Sequence, residues 1–170
     1  MPVSEIIKKR KSIRKYKADA EVSKEDIKVL LEAAMLAPSA CNMRPWEFIV
    51  VQDRATLSEI TKKHPYTGML NTASAAIIVV ANMNIRDEVS DGFFPQDCGA
   101  ATENILLQAV EMGLGTCWCG VYPKEKNLAA LIEILELPEH LVPFNVIAVG
   151  VPDEAEGSRG YYEEAKVTWR

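Results

Sequence analysis

The chain has 170 residues, 48% of them hydrophobic and 25% charged, enough for one folded domain spanning residues 1–170 with a sizeable core. Its formal net charge is -5, yet Lys8, Lys9, Arg10, Lys11, Arg14, Lys15 and Lys17 place seven of the nineteen cations within ten residues, leaving the remainder acidic. An acidic body argues against a general nucleic-acid binder, and a local cationic cluster still suits a single phosphate group.

The charged start is followed by more polar residues instead of an apolar stretch, and the longest apolar run, residues 73–81, is far too short to span a bilayer. We therefore expect a cytoplasmic protein with no membrane partner. Cys41, Cys98, Cys117 and Cys119 show no C-x-x-C spacing, so neither a zinc site nor a disulfide framework is supported.

In chain order, residues 4–11 read as a short helix with Ile6 and Ile7 as its apolar contacts. Ser23 caps a stronger helix: Glu25 and Asp26 suit the positive end of its dipole, and Ile27, Leu30, Leu31, Ala34 and Met35 repeat at helical spacing until Pro38. Residues 46–51 read as a strand, 55–63 as a helix and 75–81 as a buried strand. Residues 96–112 form the longest helix candidate, so apolar in its second half that more than one side must be buried. A second subunit or a long loop would each account for that burial. Gly113 and Gly115 end this helix, residues 116–121 read as a strand, Pro123 starts a helix carrying Leu128, Leu131, Ile132 and Leu135, and residues 142–149 form a last core strand. The polar tail, residues 152–170, ends in Val167 and Trp169 and is expected to dock rather than remain disordered.

Several catalytic patterns are absent. With only His64 and His140, and no H-E-x-x-H, G-x-S-x-G or G-K-[ST], the zincin, hydrolase-elbow and P-loop readings fail. Gly113, Gly115 and Gly120 do not match G-x-G-x-x-G and follow a helix where a dinucleotide fold needs a strand. The basic cluster admits three readings: a solvated helix face, an arm touching nucleic acid or a partner, or a phosphate site. The third uses the mixture of residues, because Arg10 and Arg14 offer forked donors and Ser12 a hydroxyl, matching the oxygens of a phosphate monoester.

Three blocks, Arg10-Lys11-Ser12-Ile13-Arg14, then Ala37-Pro38-Ser39-Ala40-Cys41-Asn42-Met43-Arg44-Pro45-Trp46, then Gly113-Leu114-Gly115-Thr116-Cys117-Trp118-Cys119-Gly120, resemble in order and spacing the nitroreductase family of FMN-dependent oxidoreductases. Leu137-Pro138-Glu139 and the strand ending at Gly150 agree, so the resemblance covers essentially the whole chain. It implies an α+β fold, with helices around a mainly antiparallel central sheet, a C-terminal tail that docks on the partner subunit, and a homodimer with FMN at the subunit interface. It assigns the FMN phosphate to Arg10, Lys11, Ser12 and Arg14, joined by Arg159 or, second, Lys166. Pro38, Ser39, Ala40 and Asn42 would approach the flavin from the other subunit, and Cys117, Trp118, Cys119 and Gly120 would line its ring. Lys11 or Arg14 is the candidate cation beside the ring's N1 and C2 carbonyl.

Because flavin carries the redox chemistry, missing acid-base motifs are expected. The implied activity passes reducing equivalents from NAD(P)H through flavin N5 to small acceptors such as nitroaromatics or quinones in a ping-pong cycle. The alternative is a non-catalytic flavin binder, a sensor or reservoir. Arg44 stands where the family commonly has Gln, and could place charge near an anionic substrate. Cys117 and Cys119, about 6.5–7 Å apart along one strand face, are far apart for a disulfide and read as packing residues beside the flavin.

Overall fold

Local sequence signals become nine main elements. The computed structural model describes residues 1–155, 157 and 160–170. The chain runs through α1 (Val3–Lys9), α2 (Lys24–Met35), β1 (Trp46–Val51), α3 (Arg54–Lys63), β2 (Ala75–Asn82), α4 (Phe94–Glu111), β3 (Gly115–Gly120), α5 (Glu125–Leu135) and β4 (Leu141–Gly150). The strands make one sheet in the order β1-β2-β4-β3, with every neighbouring pair antiparallel. The two long apolar runs, β2 and β4, take the centre, where both faces are covered and strict alternation with polar residues is unnecessary.

Side-chain alternation divides the core between the two faces. Ile77, Val79 and Ile147 pack with Ile27, Leu30, Ala101 and Ile105 from α2 and α4. Ile78, Val80 and Val146 pack with Leu57, Ile60 and Leu131 from α3 and α5. Helix α4 touches α1, α2 and all four strands, so its apolar character is largely accounted for within one chain. The Ser23 signal holds in full: its hydroxyl accepts the Asp26 N–H at 3.0 Å, and the Asp26 carboxylate accepts the Ser23 N–H at 3.2 Å.

Two boundaries differ from expectation. Helix α1 ends at Lys9, so Arg10, Lys11, Ser12 and Arg14 lie beyond it, and the helix-face reading fits only Lys8 and Lys9, which face the negative end of the dipole. Helix α5 starts at Glu125 with Lys124 as its N-cap, leaving Pro123 in the preceding turn.

Residues 12–17 instead run beside the sheet. Ile13 N–H donates to Thr116 C=O at 2.8 Å, and Lys17 N–H to Val151 C=O at 3.0 Å. Asp153 N–H returns a bond to Lys15 C=O at 2.8 Å, so the start of the tail docks on its own chain. Two glycines permit this close approach: a Cβ on Gly115 would come within 2.8 Å of Ile13 Cγ2, and one on Gly150 within 2.7 Å of Tyr16 Cδ1. Farther along the tail, Tyr161, Tyr162 and Trp169 are exposed.

Candidate functional site

The extended segment after α1 turns its polar groups into a concavity of about 140 Å³ lined by Arg10, Lys11, Ser12 and Arg14. Arg14 also borders a second, open cleft of about 530 Å³, walled by Tyr66 and Met69 on one side and by Trp118, Cys119 and Gly120 of β3 on the other. Arg14 is thus the residue that a cationic cup shares with a larger cleft beside an edge strand. The cup offers charge and a hydroxyl to a phosphate, and the cleft is of ordinary size for a small-molecule ring system.

Strand β3 supplies backbone as well as side chains. Thr116 directs its C=O away from β4 to meet Ile13, and alternation along an antiparallel strand turns the N–H and C=O of Trp118 and Gly120 the same way, toward the cleft. The Gly120 carbonyl accepts from His64 Nε2–H at 2.9 Å and Asn127 Nδ2 at 3.3 Å. His64 Nδ1 accepts the Tyr66 N–H at 3.3 Å, which requires the neutral Nε2–H tautomer. His64 is fully buried and satisfied, and it fastens the Tyr66–Met69 wall to β3.

The cations are not equivalent. Arg10 Nε lies 3.7 Å from a Glu103 carboxylate oxygen, whereas Lys11 Nζ donates to the Ala155 carbonyl at 2.6 Å and sits 3.7 Å from Glu154. Lys11 is therefore turned toward the tail. Of the two cations expected beside the ring, only Arg14 borders both concavities; its guanidinium makes one long bond, 3.5 Å, to the Ser12 carbonyl.

Glu154 organises this segment by accepting the backbone N–H groups of both Arg14 and Lys15. The Arg14 amide bond holds its carboxyl below the usual carboxylate range against the opposing effect of burial, with the Lys15 amide and the nearby Lys11 charge adding to it. Because the folded-state pKa is lowered, this group contributes stability above its unfolded value that is lost as pH falls through the folded one. Glu154→Gln is expected to be less stable than the parent at neutral pH, with the difference shrinking below about pH 4. Urea midpoints measured across pH check this; a difference independent of pH would refute the ionic role.

Cys117 and Cys119 depart in part from the expected ring lining. They border the cleft, but at 2% and 4% exposure their side chains lie in the α3/α5 core, while Trp118 points to the opposite face and packs edge-on against Phe144 at 5.7 Å. Strand alternation forbids all three side chains from facing one ring.

The turn after α2 stands apart from both concavities. Cys41, Asn42 and Arg44 all adopt positive φ, at 51°, 54° and 53°. Such clustered left-handed non-glycine residues are costly and need surrounding contacts to hold them. Ser39 Oγ accepts the Arg44 N–H, and the buried Asp97 carboxylate accepts the Ala40 N–H, each at 2.9 Å. The Arg44 guanidinium donates to the Met35 carbonyl at 3.2 Å and so helps cap the end of α2. Pro38, Ser39, Ala40 and Asn42 line neither concavity of this chain. Arg159 lies outside the described residues, and Lys166 pairs with Glu163 in its own turn.

An antiparallel sheet between two helical layers, with a cationic cup and a larger cleft beside its edge strand that share Arg14, defines an α+β class with room for a small-molecule ligand. The chain belongs to the nitroreductase family, whose family model matches residues 7–64 and 61–151. It is 45% identical to a protein of Methanothermobacter thermautotrophicus provisionally named NADH dehydrogenase/NAD(P)H nitroreductase, over 98% of this chain and 86% of that one. A crystal structure of a protein with the same provisional name from Parabacteroides distasonis superposes with TM-score 0.93 at 39% identity, covering 99% and 98% of the two chains. A provisionally named nitroreductase from Desulfovibrio desulfuricans, solved in complex with FMN, superposes with TM-score 0.83 at 30% identity, covering 100% and 96%.

Proposed function

We propose that this chain is an FMN-dependent NAD(P)H oxidoreductase that reduces small electron acceptors such as nitroaromatics or quinones, working as a cytoplasmic homodimer with FMN at the subunit interface. The observation that carries this reading is that Arg14 borders both a cationic cup, whose side chains suit a phosphate, and a ring-sized cleft. Arg10, Ser12 and Arg14 would hold the FMN phosphate, with Lys11 adding positive charge from its place against the tail. The outward N–H groups of Trp118 and Gly120 would face the flavin's polar edge. Bound there, FMN supplies hydride transfer from the nicotinamide and, in a second half-reaction, to the acceptor.

This chain's own residues bind and orient. Glu154 sets the backbone carrying Arg14, His64 ties the Tyr66–Met69 wall to β3, and Arg14 places positive charge where phosphate and ring sites meet. The strained turn over Pro38, Ser39, Ala40 and Asn42, held by Asp97, would complete the site of the partner subunit. The four unpaired cysteines suit a reducing compartment.

The absorption spectrum of the purified protein tests the reading. Flavin bands with about one FMN per chain, and NAD(P)H oxidation giving parallel double-reciprocal lines with a nitroaromatic or quinone, are the expected results. A colourless protein that takes up no added FMN would refute the reading. Bound FMN without turnover by any acceptor would favour a non-catalytic flavin binder.

A further inference from the structure

The peptide that joins Ile13 to Arg14 is held at both of its polar ends. Its N–H, from Arg14, donates to the Glu154 carboxylate on the tail side, and its C=O, from Ile13, accepts the Tyr16 hydroxyl proton at 2.7 Å on the core side. We propose that Tyr16 is a positioning residue for ligand binding: its grip on the Ile13 carbonyl fixes the peptide plane from which the Arg14 side chain springs, and so sets the guanidinium that borders both concavities. This role rests on the reading of the cup as an FMN phosphate site.

Tyr16 is itself fixed by the sheet. It is 4% exposed, and its ring lies against Gly150, where a Cβ would come within 2.7 Å of Cδ1 and 3.0 Å of Cγ. Its backbone bridges antiparallel to Pro152 just beyond β4, flanked by the Lys17–Val151 and Asp153–Lys15 bonds. A ring packed this closely has little room to swing, so residue 13 is held to it rather than the reverse. A phenol has one proton to give: the Ala148 carbonyl also lies near, at 3.4 Å, and the Ile13 carbonyl is the better acceptor. Burial pushes this phenol far above its ordinary pKa, with Cys117, Cys119 and Glu154 acting in the same direction and Arg14 against them, so the hydroxyl keeps its proton and remains a donor.

The geometry of Arg14 depends on this hold. The guanidinium's own bond, to the Ser12 carbonyl, is long at 3.5 Å, so its placement leans on the backbone that carries it. Because the peptide unit is planar, fixing its two ends sets ψ of residue 13 and φ of residue 14 together, and with them the direction of the Arg14 Cα–Cβ bond. A donor aimed before the ligand arrives is ordered at no further cost when it binds.

The test compares FMN with riboflavin, which lacks the phosphate, by fluorescence titration of flavin-stripped protein. Tyr16→Phe removes the hydroxyl and keeps the ring against Gly150; it is expected to weaken FMN about three- to tenfold and riboflavin less than about twofold. In the Arg14→Ala background the same change is expected to alter FMN affinity less than about twofold, because the group it positions is gone. In the flavin-free protein, the Ile13 carbonyl carbon resonance is expected to move upfield on loss of its donor. Unchanged FMN affinity in Tyr16→Phe, equal losses for FMN and riboflavin, an FMN loss that persists undiminished without Arg14, or an unmoved carbonyl resonance would each overturn the positioning role while leaving the flavin reading in place. Failure of the parent to take up FMN would overturn the flavin reading and this role with it.

Discussion

Replacing Arg14 with alanine is expected to weaken FMN binding by about 10- to 150-fold while leaving the fold intact. The magnitude follows from the worth of a hydrogen bond to a charged group, about 1.5–3 kcal/mol, converted to an affinity ratio. The fold is expected to survive because the bonds that position residue 14 come from its backbone, which donates to Glu154, whereas among the described residues the guanidinium makes a long, exposed contact to the Ser12 carbonyl. Arg10→Ala should weaken FMN less, since Arg10 already shares its charge with Glu103, whose carboxyl is raised by burial despite that arginine. Fluorescence titration of flavin-stripped protein measures both affinities. Unchanged FMN affinity in the Arg14 variant would remove the phosphate assignment from this segment.

Gly115→Ala is expected to cost about 1–3 kcal/mol of stability and to weaken FMN binding as well. The new methyl group would stand 2.8 Å from Ile13 Cγ2, 3.0 Å from its Cβ and 3.1 Å from its Cγ1, so turning the Ile13 side chain cannot relieve the clash. The backbone of residues 12–14 must move instead, carrying Ser12 and Arg14 with it. Ile13 is 5% exposed and bonded to Thr116, so that movement also disturbs a buried contact and the edge of β3. Urea denaturation and flavin titration of the same variant read the two effects. Lost stability with unchanged FMN affinity would show that the segment's position does not govern the site.

Several elements were readable because their causes are local. The Ser23 cap with Asp26 three residues on, and the apolar run of β2, depend on neighbours within a turn or a strand. The Arg10, Ser12 and Arg14 grouping was equally visible, since a single extended segment carries it. Asp97, Glu154, Met69 and the role of His64 were not. Nothing beside Asp97 in sequence announces that its carboxylate will hold Ala40 N–H from 57 residues away, and Glu154 reaches Arg14 across 140. Nothing in the sequence around His64 marks its ring as the partner of the Gly120 carbonyl, 56 residues away.

By itself, the sequence determined the helices, the four strands, the cationic grouping of the N-terminal segment and the family resemblance. Each rests on short-range periodicity, capping or a contiguous motif. Only the tertiary structure decided that Arg14, not Lys11, borders both concavities, that Arg44 serves the end of α2, and that the Cys119 thiol meets Met69 beside the cleft. These outcomes depend on competition among partners distant in sequence. A cation goes to the carboxylate or carbonyl the fold brings closest, and a strand side chain to the face its register assigns.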